Sequence, residues 1–66
     1  MFQITLNGNP QTTTCQSVLE LLEGQNLTTG RFAVEIDGML VPKTRLADTP
    51  VADGMVIEVV QAVGGG

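Results

Sequence analysis

Ser17-Val18-Leu19-Glu20-Leu21-Leu22 carries the helical period of this 66-residue chain, and its place between two strand-like regions decides the fold. Ser17 and Glu20 have the spacing of a capping box, in which the serine hydroxyl accepts the amide of the third helical residue and the glutamate turns back to the serine amide. Val18, Leu21 and Leu22 fall at i, i+3 and i+4, which draws one apolar stripe along the helix and leaves Glu20 and Glu23 to water. Gly24, or Asn26 beyond it, is of the type that ends a helix.

On the N-terminal side, Phe2, Ile4 and Leu6 alternate with Gln3 and Thr5, the period-two pattern of a strand with one buried face. Asn7-Gly8-Asn9-Pro10 reads as a turn, so that the threonine-rich Gln11 to Thr14 returns antiparallel. On the C-terminal side, Ala33-Val34-Glu35-Ile36 alternates, Asp37-Gly38 is a two-residue hairpin signal, and Met39-Leu40-Val41 runs back until Pro42 stops it. Lys43 to Ala52 is polar and irregular, with Leu46 as its buried anchor and Pro50 barring a long helix. Asp53-Gly54 turns the chain into Met55 to Gln61, the longest strand pattern, with Ile57 and Val59 inward and Val56, Glu58 and Val60 outward. The order β-β-α-β-β-β specifies an α+β domain over residues 1–61, one helix packed across a mixed sheet. Ala62-Val63-Gly64-Gly65-Gly66 follows as a flexible tail almost without side chains.

A chain this short buries only about 60% of its unfolded surface, which argues for one domain and against a deep catalytic cavity. Three Lys or Arg against seven Asp or Glu leave a net charge of −4, a balance that repels nucleic acid and anionic lipid and steers basic protein surfaces inward. Cys15 is the only cysteine and histidine is absent, so an internal disulfide is impossible and a zinc site implausible. Without a second cysteine nearby or any histidine to activate it, Cys15 reads as structural. Lys43 and Arg45 read as solubilising a loop. The N-terminal residues lack the basic and apolar segments of a signal peptide and no stretch reaches membrane-spanning length, so the chain is expected to be cytoplasmic.

Strand Phe2 to Leu6, helix start Ser17 to Leu22, Val41-Pro42-Lys43, the Asp53-Gly54 turn and the terminal Gly65-Gly66 occur in the order and spacing of a known group. In these features the whole chain resembles the ubiquitin-like β-grasp proteins, and among them the ThiS family of sulfur carriers. The resemblance implies a protein that is not itself an enzyme and binds no cofactor. A ThiF-type partner would adenylate the Gly66 carboxylate with ATP and magnesium. A persulfide sulfur donor would then displace AMP to leave a thiocarboxylate, which a ThiG-type thiazole synthase would consume in thiamin biosynthesis. The chemistry suits such a terminus, because a carboxylate with a pKa of about 3.5 is an anion at neutral pH and resists nucleophiles until activated. Gly65 and Gly66, lacking Cβ, would pass a narrow channel, with Gly64 as a spacer. Extended, the five residues from Ala62 reach roughly 17 Å into a partner. Val56, Glu58 and Val60, on the outward sheet face beside the tail, are the expected docking surface. The small subunit of molybdopterin synthase, a ubiquitin-like modifier and a plain interaction module stand as alternatives, the first disfavoured by the short chain.

Overall fold

Both hairpins turn on two residues, Asn7-Gly8 and Asp37-Gly38, whose φ angles of 50° and 82°, and of 51° and 84°, are those of type I′ turns. Such turns match the right-handed twist of the strands they join, and glycine takes the second position without strain. The computed structural model describes residues 1–62; Val63 to Gly66, all of the expected flexible tail but Ala62, lie outside the described residues.

The elements are β1 (Phe2–Leu6), β2 (Asn9–Thr13), α1 (Val18–Gly24), β3 (Phe32–Ile36), β4 (Met39–Val41), a short 3-10 helix (Lys43–Asp48) and β5 (Met55–Gln61). The five strands form one sheet in the order β2-β1-β5-β3-β4. β1 and β5 run parallel at the centre, with Ile4 beside Met55 and Leu6 beside Ile57; the other pairs are antiparallel. With α1 laid across one face, this is the ubiquitin-like β-grasp. Val18, Leu21 and Leu22 of α1 join Ile4, Leu6, Val34, Ile36 and Ile57 of the sheet in one core. Each such side chain contributes about 1.5–3 kcal/mol on leaving water.

Four local expectations shift. β2 begins at Asn9, not Gln11, and Pro10 lies within it opposite Thr5. β2 is an edge strand, where a missing N–H removes no bond from the interior of the ladder. Second, the Glu20 amide donates to Ser17 Oγ at 3.2 Å, but the Glu20 carboxylate accepts from that hydroxyl at 3.3 Å and does not reach the Ser17 amide. Ser17 is instead drawn into an extended bridge with Pro50, flanked by bonds from Val18 N–H to Thr49 O and from Val51 N–H to Gln16 O, both 2.9 Å. Third, of the two residues offered, Gly24 is the last of α1 and Asn26 takes the left-handed position just beyond it. Its φ is 59°, its amide donates to Glu23 O and the Leu27 amide to Leu22 O, the bond pair of a Schellman motif. Fourth, Lys43 to Asp48 is not irregular but a 3-10 helix opened by Pro42, which places Leu46 fully inside.

Candidate functional site

β5 leads to the chain end, so what holds β5 and what its outer face presents define the site. The turns on either side grip it. The Asn7 amide donates to Ile57 O at 2.9 Å while Asn7 Oδ1 accepts the Val59 amide at 2.8 Å. From the other side, the Asp37 amide donates to Val56 O at 2.8 Å and Asp37 Oδ1 accepts the Val56 amide at 2.9 Å. Asp53-Gly54, just before β5, grips β1 in the same way: Gly54 N–H reaches Gln3 O and Asp53 Oδ1 accepts the Gln3 amide. Short side-chain oxygens thus continue the ladders past the ends of the strands, where backbone amides would otherwise lack partners. The last described bond runs from the Ala62 amide to Arg31 O at 3.0 Å, so Ala62, assigned to the tail from the sequence, is tied to the residue before β3.

The three expected docking residues share the face opposite α1. Val56 is 43% exposed and Val60 68%, with Glu58 exposed between them. The register adds neighbours that the sequence did not reveal. Val60 stands beside Ala33, Glu58 beside Glu35, and Glu35 beside Leu40 of β4, which is 70% exposed. On β1, Thr5 lies beside Val56. The outer face is therefore an apolar field centred on two carboxylates directly opposite one another. Glu35, read from the sequence as a member of an alternating strand, sits at its middle; the signal that could have placed it is the Asp37-Gly38 turn, which sets Glu35 against Leu40, but its pairing with β5 is long-range. Gly64, Gly65 and Gly66 lie outside the described residues.

The remaining candidates take quieter places. Lys43 Nζ stands 4.4 Å above the centroid of the Phe32 ring, a cation–π contact that holds the lysine at the end of β3 nearest Gln61. Cys15 is half-buried against the core. Among the described residues no group of three or more His, Cys, Asp or Glu is placed to hold a metal ion, and no helix is long and apolar enough to cross a membrane. An open depression of about 670 Å³ lies over β1 and β2, lined by Gln3, Thr5, Pro10, Thr12, Asp53 and Gly54; its one carboxylate, Asp53, is the one bonded to the Gln3 amide.

The profile of the ThiS family matches residues 3–66. The chain belongs to the ThiS family. The crystal structure of a thiamine biosynthesis protein (ThiS) from Geobacter metallireducens superposes on it with a TM-score of 0.80 at 29% sequence identity, covering 98% of this chain and 100% of that one. The solution structure of a thiamine biosynthesis protein from the same organism gives a TM-score of 0.77 at 29% identity, over 98% of this chain and 88% of that one. No curated protein matches the chain by sequence. Within this ThiS-family fold, the outer face of β5, the strand that runs on to Ala62, is the candidate site among the described residues.

Proposed function

We propose that this chain is a sulfur carrier of thiamine biosynthesis, loaded at the Gly66 carboxylate. The observation that supports the reading most is that the match to the ThiS family extends to Gly66. A Gly66 carboxylate oxygen attacks the α-phosphorus of ATP on a ThiF-type enzyme, with magnesium neutralising the phosphates, and pyrophosphate leaves. The terminal sulfur of a donor's persulfide then attacks the activated carbonyl carbon and AMP leaves. Cleavage of the resulting sulfur–sulfur bond by a second thiol frees the thiocarboxylate, whose soft anionic sulfur passes to a ThiG-type thiazole synthase. The chain itself supplies recognition, through Val56, Glu58 and Val60, and delivery, through Gly64, Gly65 and Gly66. The compartment that fits ATP-dependent activation is the cytoplasm.

Co-expression with the adenylating enzyme and a persulfide source, followed by intact-mass measurement, tests this. The expected product is heavier by the difference between one sulfur and one oxygen, localised to Gly66 by fragmentation. A chain that stays at its starting mass under conditions where the enzyme is active would sink the reading.

A further inference from the structure

Glu35 and Glu58 face each other in register on β3 and β5, both exposed. Like charges directly opposite on neighbouring strands destabilise a sheet, so this pair works against the free fold. The same-face neighbours offer no cation: Ala33 and Val60 lie on one side, Thr5 and Val56 on the other, and Leu40 beyond Glu35. The next acid along the chain from Glu35, Asp37, has Oδ1 committed to the Val56 amide. Arg31, the cation nearest along the chain, precedes β3 and is the residue whose carbonyl receives the Ala62 amide.

We infer that the Glu35–Glu58 pair is the seat for an arginine presented among apolar side chains by the enzyme that activates Gly66; this rests on the function proposed above. Two carboxylates side by side match the planar, five-donor guanidinium better than the single ammonium of lysine. Val56, Val60 and Leu40 surround the seat with apolar surface that excludes water once covered, which strengthens the charge-assisted bonds at its centre. The net charge of −4 steers a basic partner toward this chain. A partner seated here also stands near Ala62, two residues beyond Val60 and just past the end of β5.

The test measures binding of the full chain to the activating enzyme by calorimetry and unfolding of the free chain in urea. Glu35→Gln combined with Glu58→Gln raises the urea midpoint, because the repulsion is relieved, yet weakens binding by about tenfold or more. Glu23→Gln combined with Asp48→Asn removes the same charge from elsewhere and changes affinity by less than about threefold. An unaltered affinity for the first variant, an equal loss for the second, or a lowered urea midpoint for the first overturns the inference. If wild-type protein gains its thiocarboxylate while the first variant binds undiminished, this inference alone fails; if wild-type protein is never activated, the proposed function fails and takes the inference with it.

Discussion

Asn7 meets two demands with one side chain. Its φ of 50° is left-handed, a region that costs an ordinary L-residue about 1–2 kcal/mol. Its Oδ1 also accepts the Val59 amide, a bond contributing about 1 kcal/mol net. Substitutions separate the two. Asn7→Gly keeps the turn and loses the bond, an expected loss of about 1 kcal/mol. Asn7→Ala loses both, about 2–3 kcal/mol. Asn7→Asp keeps the oxygen and the tolerance for the turn and stays within about 0.5 kcal/mol of wild type. Urea unfolding of the three variants orders them Asp, Gly, Ala; glycine costing as much as alanine would contradict the backbone component. Val59 is three residues from Ala62, so the same bond also steadies the strand that precedes the proposed reactive end.

Among the elements, α1 is the most dependent on its surroundings. Seven residues are too few for a helix to persist alone. Its ends are fastened by Ser17 and by the Asn26 motif, and its middle by Leu22, which is fully buried. Ser17→Ala is expected to cost about 1 kcal/mol, lowering the thermal midpoint of the circular dichroism signal while unfolding stays cooperative. Leu22→Ala is expected to cost about 2–5 kcal/mol through lost burial and a cavity. That is comparable with the roughly 3–10 kcal/mol available to a chain of this length, so its melt should be broad or absent at room temperature. A sharp, near-native transition in Leu22→Ala would show that the helix is not what closes the core. These elements were legible from sequence because their signals are local: alternation in Phe2 to Leu6, the Ser17 and Glu20 spacing, and glycine after Asn7, Asp37 and Asp53. What escaped was set at a distance. Pro10 is acceptable in a strand because β2 lies at the sheet edge, and the entry to α1 is tied through the Val18 amide and the Gln16 carbonyl to Thr49 and Val51, far along the chain.

Across the whole molecule, recognition is proposed for the folded part and chemistry for the end. Half of the recognition face was legible, since alternation along β5 turns Val56, Glu58 and Val60 outward whatever the neighbours are. The other half was not, because β3 meets β5 across a separation that no local pattern encodes, and only that register sets Glu35 against Glu58. The division of labour predicts that the two parts respond to different substitutions. Among the described residues the core and the outward face reach no further along the chain than Val59 and Val60, so Gly65→Val should leave the urea midpoint and the affinity for the activating enzyme unchanged. The Gly66 carboxylate is still present in that variant. A branched side chain next to it, however, displaces the carboxylate from the in-line position for attack on the α-phosphorus, and a misplacement of about 1 Å costs on the order of a hundredfold in rate. Pyrophosphate release at saturating ATP should therefore fall by roughly that factor, whereas the Glu35→Gln and Glu58→Gln pair should weaken binding and leave the rate at saturating carrier near wild type. If Gly65→Val instead turned over at the wild-type rate, the narrow approach to Gly66 would be wrong, and the glycines would have to be explained by something other than passage into a channel.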